Sequence, residues 1–253
     1  MRPVLVTSGT GTHGRAVVAR LLDGGHEVRV ASRRPGAARV VVDLRSEAGV
    51  DRAVAGVDAI VHCATTGGAA DVHVTRTLVD GARRAGTPHL VFISIVGVDR
   101  LPLGYYRAKL AAERVVGESG LGWTVLRATQ FHDLVAWLWR VQRRSPVIVS
   151  PASTSIQPID VRDVAARLVE LATGPPAGRV PDLGGPEVRG ATDLARTYVR
   201  ATGRRGVVLP IRFPGAVAAG YRRGHHLTVP RSGITFDQFL AERGATVGRH
   251  DPR

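Results

Sequence analysis

One lysine stands among the 35 lysine and arginine residues of this chain, four positions after a tyrosine in Tyr105-Tyr106-Arg107-Ala108-Lys109. On a helix, positions i and i+4 share one face. Lysine is a compact point charge, whereas arginine is a broad planar fork, so the retained ammonium is chemically distinct. Beside a phenol it favours phenolate and lowers the tyrosine pKa from its ordinary value near ~10. Such a phenol is a proton donor or acceptor. Tyr106 lacks this relation to Lys109. A surface lysine beside a core tyrosine meets the same spacing, so the pair needs a context.

That context begins at Gly9-Thr10-Gly11-Thr12-His13-Gly14, which follows the apolar run 3–7 at once. Helical spacing at Val17, Val18, Leu21 and Leu22 comes next. Glycines there permit a tight turn and let a helix N-terminus meet a pyrophosphate. At the end of the second apolar run stands Ser32-Arg33-Arg34, where an acid would take the ribose 2′-hydroxyl of NAD. Two guanidiniums and a hydroxyl suit a 2′-phosphate instead. The expected cofactor is therefore NADP(H) rather than NAD(H).

Elements that could hold these groups alternate through the first half. Strands are expected at 3–7, 27–31, 40–43, 59–63, 89–94 and 123–127, with helices at 15–23, 46–55, 72–85 and 105–119. Strands apolar throughout belong to a parallel sheet covered on both faces, so the fold class is α/β, a doubly wound Rossmann sheet. Beyond residue 128 we expect helices at 130–144, 161–172, 192–202, 215–223 and 235–243, a short strand at 156–160 and a turn at 173–178. Residues 1–128 then form the dinucleotide-binding core. Residues 129–253 form a small substrate-facing region continuous with it.

The bulk composition bounds the function. At 253 residues, 44% hydrophobic and 22% charged, the chain suits one globular α/β domain. Its longest apolar runs are too short to span a bilayer, and the N-terminus enters a strand without a leader-like segment. The single cysteine, Cys63, suits a reducing compartment, and a cytoplasmic location is expected. The net charge of +14 is scattered in short arginine doublets without interleaved aromatics, which reads as a solvated basic surface and not a nucleic-acid site. It still attracts anionic ligands. A monomer or homodimer acting on a small molecule is expected, with no membrane partner. No histidine–cysteine spacing suggests a metal. Asp160 reads as a helix cap. Trp137 and Trp139, with Phe131 and Leu134, could wall an apolar substrate pocket, fill the core or form a dimer surface.

Taken together, these segments resemble the short-chain dehydrogenase/reductase superfamily, in its atypical NmrA-like and isoflavone-reductase-like branch. The resemblance rests on 4–7 leading into the glycine loop, Phe92-Ile93-Ser94-Ile95-Val96-Gly97, Tyr105-x-x-x-Lys109 with Ala111-Ala112-Glu113, the 119–128 segment, Ile159-Asp160-Val161-x-Asp163-Val164-Ala165, and Gly184-Gly185-Pro186-Glu187. It implies that Asp43 and Leu44 bracket an adenine, and that Cys63, Ala64 and Thr65 pass under the nicotinamide ribose. Lys109 would bind that ribose and hold Tyr105 acidic. Ser94 would orient the substrate oxygen. Ala128, Thr129, Gln130 and Phe131 would line the nicotinamide and substrate side.

Two positions depart from the branch's usual loop: Ser8 replaces a glycine, and His13 replaces an apolar residue. Ser8 constrains the turn if the backbone there needs a positive φ. His13 is either a phosphate contact or a tucked imidazole. The expected function is an NADPH-dependent oxidoreductase that reduces a carbonyl, quinone or activated double bond of a small, apolar substrate. The alternatives are a non-catalytic NADP(H) sensor and a nucleotide-sugar epimerase or dehydratase that keeps its cofactor.

Overall fold

The computed structural model describes residues 3–36 and 39–247. Seven parallel strands form the central sheet: β1 (Val4–Thr7), β2 (Val28–Ser32), β3 (Arg39–Val41), β4 (Ala59–His62), β5 (His89–Ile95), β6 (Gly122–Ala128) and β9 (Gly178–Arg179). Their spatial order is β3-β2-β1-β4-β5-β6-β9. The helices between them are α1 (Thr12–Asp23), α2 (Val50–Val54), α3 (Ala70–Arg84) and α4 (Gly104–Gly117).

The continuously apolar strands split their side chains between two cores. Val4, Val6, Val61, Val91, Ile93 and Leu126 pack in the layer that α1 shares with α6 (Val161–Thr173). Leu5, Ile60, Leu90, Phe92 and Val125 enter the opposite layer, under α2, α3 and α4. The twofold alternation of strand side chains demands this sorting once both faces are covered. Here the Rossmann-like α/β expectation holds.

The chain returns to this sheet after residue 128, because α6 packs beside α1 and β9 bonds to β6. A third apolar cluster forms apart from the sheet. It joins α5 (His132–Arg140), α7 (Ala191–Ala201) and α9 (Phe236–Val247) to β7 (Val147–Pro151) and β8 (Ser155–Ile156). The remaining elements are β10 (Arg189–Gly190), which pairs with β8, β11 (Val207–Ile211), and α8 (Ala216–Arg222).

Several expected elements differ. The helix at 46–55 is only Val50–Val54, because Glu47 and Gly49 take positive φ values of 63° and 79°. Gly49 is obligatory there, since a Cβ would lie 2.3 Å from the Val41 carbonyl oxygen. The helix at 130–144 shrinks to His132–Arg140, because Phe131 bridges Ile159 and the Gln130 carbonyl accepts from Ile159 N at 2.9 Å. The strand expected at 156–160 is instead Ser155–Ile156, paired with the 189–190 segment, and Ile159 forms only an isolated bridge. The parallel pair β7–β11 was not expected: the prolines at 151 and 210 interrupt both runs as a sequence reader sees them.

Candidate active site

In the sheet order, β2 and β4 flank β1 on opposite sides, so the loops after β1 and β4 diverge at their C-terminal ends. Open α/β sheets bind ligands in the crevice at such a switch point. Thr7 ties its two walls together. Its Oγ1 accepts from Cys63 N at 3.0 Å and Ala64 N at 3.1 Å, leaving its proton for His62 Nδ1 at 2.8 Å. His62 is sealed in the core, where burial, then the Lys109 charge, lowers its pKa to about 3 although Asp71 opposes the shift.

The glycine loop packs so closely that its residue types are dictated. A Cβ on Gly14 would lie 2.2 Å from the Ser8 carbonyl oxygen, and one on Gly9 would lie 2.7 Å from Val30 Cγ1. Ser8 adopts φ 51°, the left-handed conformation that its departure from glycine makes costly. Gly11 is the N-cap of α1, and no side chain caps the helix. The first N–H groups of α1 thus have no side-chain cap, an arrangement that suits an anion.

A cleft of about 690 Å³ runs from this loop toward the ends of β2 and β3. It collects Thr10, Gly11, Ser32, Arg33, Arg34, Asp43, Leu44, Ala64 and Thr65 from the sequence expectation. Arg39, Arg45 and Thr66 also line it. Sequence reasoning missed these three, although Arg39 and Arg45 flank the expected third strand and share the charge of the Arg33-Arg34 pair. Ser32 Oγ accepts from Arg34 N at 3.1 Å, and Asp43 Oδ1 accepts from Arg45 N at 3.0 Å, so both side chains brace the turns that present the arginines. A tight glycine turn, an uncapped helix start and four guanidiniums on one cleft fit an anionic ligand such as a dinucleotide.

Tyr105 lies in the first turn of α4, with Lys109 one turn later. Lys109 is 3% exposed, and its Nζ sits 4.4 Å from the centre of the Phe92 ring. Burial lowers its pKa against the pull of Asp71, Cys63 and Glu113. The Tyr105 hydroxyl lies 3.3 Å from Thr65 Oγ1. Here the expectation of an acidified phenol is corrected. Burial raises the Tyr105 pKa above the ordinary phenol range; the Thr65 hydroxyl lowers it in part, while Asp71 and Tyr106 push it further up. With its pKa raised, Tyr105 keeps its proton at neutral pH.

Asp71, in the first turn of α3, is the residue that sequence reasoning passed over. Its carboxylate accepts from Thr65 Oγ1 at 2.7 Å, from Thr66 Oγ1 at 2.6 Å and from Thr66 N. Burial raises its pKa, but these hydrogen bonds and the Lys109 charge outweigh that and hold it below the usual carboxylate range. In sequence it looks like any acid at a helix start. Only the fold brings it beside Thr65.

Ser94 and His13 share a property. The Ser94 hydroxyl and both ring nitrogens of His13 are shielded from solvent without a hydrogen-bond partner, while the Gln130 amide meets the Tyr106 hydroxyl. Buried polar groups are normally satisfied, so these unpaired ones stand out. His13 stacks on Phe131 with ring centres 5.0 Å apart, and burial with the Lys109 charge lowers its pKa to about 4. At neutral pH the ring is uncharged, so a phosphate contact from it would run through a neutral N–H.

Several other residues carry structural contacts of their own. Thr129 Oγ1 accepts from Gly185 N at 3.1 Å, so its side chain secures the Gly184-Gly185 turn. Cys63 is buried and its thiol is pushed up to about 12 by burial, although Lys109 lowers it, which makes it inert. Ala128 closes β6 inside the core. Arg127 braces α4 from the sheet, donating to Glu113 at 2.9 and 2.7 Å and to Asp99 at 2.9 Å. Trp139 is core, tilted against Tyr198 and edge-on to Phe236, whereas Trp137 faces solvent. Asp160 caps α6 through Arg162 N at 2.8 Å. Among the described residues no cluster of three metal-ligating side chains occurs, and no helix is long and apolar enough to cross a membrane.

Residues 9–175 match a family described as NAD(P)H-binding. A (4-alkanoyl-5-oxo-2,5-dihydrofuran-3-yl)methyl phosphate reductase of Streptomyces griseus is 31% identical over 222 residues, which cover 83% of this chain and 76% of the relative. A photosystem II assembly factor of Cyanophora paradoxa is 26% identical over 234 residues, covering 83% and 72%. Among solved structures, an Escherichia coli NADPH-dependent quinone oxidoreductase with NADPH bound superposes with a TM-score of 0.79 at 17% identity, covering 97% of this chain and 99% of that one. A Staphylococcus aureus nucleoside-diphosphate-sugar epimerase reaches the same TM-score and identity, covering 94% and 99%. These two establish likeness of fold.

Proposed function

The chain belongs to the NAD(P)H-binding family, and we propose that within it this protein is an NADPH-dependent reductase of a carbonyl, quinone or activated double bond on a small, apolar substrate. One observation carries the reading: the Tyr105 hydroxyl meets Thr65, a residue of the cleft wall, while Lys109 is buried one turn behind it. Solvent-facing side chains would have left only a binding fold. The Streptomyces griseus relative, a reductase of an alkanoyl dihydrofuranone phosphate, favours the activated double bond among these substrates.

Gly11, Thr12 and the start of α1 would hold the pyrophosphate, and Arg33, Arg34, Arg39 and Arg45 the 2′-phosphate. Ala64 and Thr65 would flank the nicotinamide half. When bound, the reduced dinucleotide supplies a hydride. The protein's own task is the matching proton. Tyr105, neutral because burial keeps its pKa high, can donate that proton to the substrate. Lys109 places positive charge behind the cleft, and the unpaired Ser94 hydroxyl can bind the substrate's oxygen.

The test is NADPH oxidation against a panel of quinones, aldehydes and enones. Tyr105→Phe is expected to lower kcat/KM by about 100-fold or more with NADPH affinity unchanged. Full turnover in that variant removes Tyr105 as the donor. Tight NADPH binding without turnover on any acceptor points to a cofactor sensor instead.

A further inference from the structure

Helix α5 is apolar on two faces. His132, Val135, Ala136 and Trp139 are buried, packing toward α7 and α9. Leu134, Trp137, Leu138 and Val141 follow the same i, i+3, i+4, i+7 spacing on the outside, each between 41% and 52% exposed. A second apolar face on a helix is normally covered by protein or lipid. The helix's acid, Asp133, is taken by Arg243. The apolar surface continues beyond the helix. Arg204 donates to the carbonyls of Trp139 and Gln142, at 3.2 and 3.0 Å, and so ties the approach to β11 against the end of α5. Val147 of β7 and Val207 of β11 are exposed register partners, and Leu209, Ile211 and Phe213 extend the row.

The charge around this surface has one sign. Residues 134–159 and 194–236 contain eleven arginines and no aspartate or glutamate. Arg140, Arg143, Arg144, Arg205 and Arg212 are exposed, and none is ion-paired among the described residues. A second copy would bring one arginine rim against another, which like charge opposes. Nucleic acid would be met by the arginines but would leave the leucine, tryptophan and valine stripe without a function. An anionic bilayer surface satisfies both. Apolar side chains enter the headgroup boundary, tryptophan prefers that depth, and arginines pair with lipid phosphates.

We infer that the exposed face of α5, with the adjoining β7–β11 edge and its arginine rim, seats this protein on the surface of an anionic lipid bilayer. The helix lies along the interface and spans nothing. Because the surface is separate from the nucleotide cleft, this inference stands whether or not the protein is a reductase.

The experiment is cosedimentation of the full chain with vesicles of phosphatidylcholine, with and without phosphatidylglycerol, alongside tryptophan emission. Binding is expected only with phosphatidylglycerol, with a blue-shifted emission that Trp137→Ser removes. Trp137→Ser with Leu138→Ser, and separately Arg143→Gln with Arg144→Gln, should each weaken binding about tenfold or more. NADPH binding, which neither pair touches, serves as the check on folding. The inference is overturned by no binding to phosphatidylglycerol vesicles, or by undiminished binding of the serine variant, which would mean adsorption by charge alone. It is equally overturned by a wild-type dimer that Trp137→Ser splits, since the face would then belong to a second copy.

Discussion

The hydroxyl of Tyr105 lies 3.3 Å from that of Thr65, and Thr65 gives its one proton to the Asp71 carboxylate at 2.7 Å. Thr65 therefore has only lone pairs for Tyr105, which must be the donor in this long contact. The chain Tyr105–Thr65–Asp71 ends on a charged acceptor buried beneath the cleft floor. Asp71 raises the Tyr105 pKa. Asp71→Asn should thus lower it. The expected result is an alkaline limb of the kcat profile displaced to lower pH. The phenolate absorbance that Tyr105→Phe removes should shift in parallel. An unmoved phenolate titration would mean that Asp71 acts only on loop 65–66.

Four arginines on one cleft make a second prediction. Arg33 and Arg34 leave β2, while Arg39 and Arg45 bracket the third-strand segment, so a 2′-phosphate would meet charge from both sides. A hydrogen bond to a charged group contributes about 1.5–3 kcal/mol. Arg33→Asp should therefore weaken NADPH roughly tenfold to a hundredfold and leave NADH nearly unchanged, measured by fluorescence titration. Equal losses for both cofactors would place Arg33 away from the 2′-phosphate.

Much of this was legible in the sequence, and the reasons are specific. The runs at 3–7, 59–63 and 89–94 are apolar throughout because both faces of β1, β4 and β5 are covered, so composition alone marks them. The glycine loop was readable because Gly14 touches backbone, which no other residue allows. Asp71 was not readable, since nothing in its neighbours distinguishes it from an ordinary helix-start acid. The sign of the Tyr105 shift was lost for a related reason. Spacing placed Lys109 on the same helix face, but the ammonium turns over the Phe92 ring and burial decides the phenol's pKa. The β7–β11 pair escaped because its partners lie about sixty residues apart and carry prolines.

Buried histidines give a pH dependence with a definite sign. The folded pKa values of His13 and His62 are lowered from 6.5 to about 4 and about 3. Above pH 6.5 neither state of the chain is protonated at these rings, so they add no slope. Below it the unfolded chain takes protons that the folded one refuses, and stability falls until the folded pKa is reached. Each ring contributes about 1.4 kcal/mol per pH unit within that window. Urea melts at descending pH should show this loss. His13→Leu should reduce the slope by one histidine's share above about pH 4. An unchanged slope would show His13 to be open to solvent in the folded protein.

Ser8 and Gly14 meet across the glycine turn, and their substitution should act in opposite directions. Ser8 holds φ 51° at a position where a glycine would carry no Cβ penalty. The left-handed conformation costs a non-glycine residue about 1–2 kcal/mol, against about 0.5–1 kcal/mol of extra chain entropy for glycine. Ser8→Gly should therefore raise stability by about 0.5–1 kcal/mol, with NADPH affinity kept or improved. Gly14→Ala places a methyl 2.2 Å from the Ser8 carbonyl oxygen and 2.8 Å from Gly9 Cα. Both neighbours are backbone and cannot rotate away, so α1 must shift from the loop. Stability should fall by about 2 kcal/mol or more, and NADPH binding should fall with it. Denaturant melts and cofactor titration of the two variants check the pair. A Gly14→Ala protein that binds NADPH like the wild type would mean that the turn is looser than this packing requires.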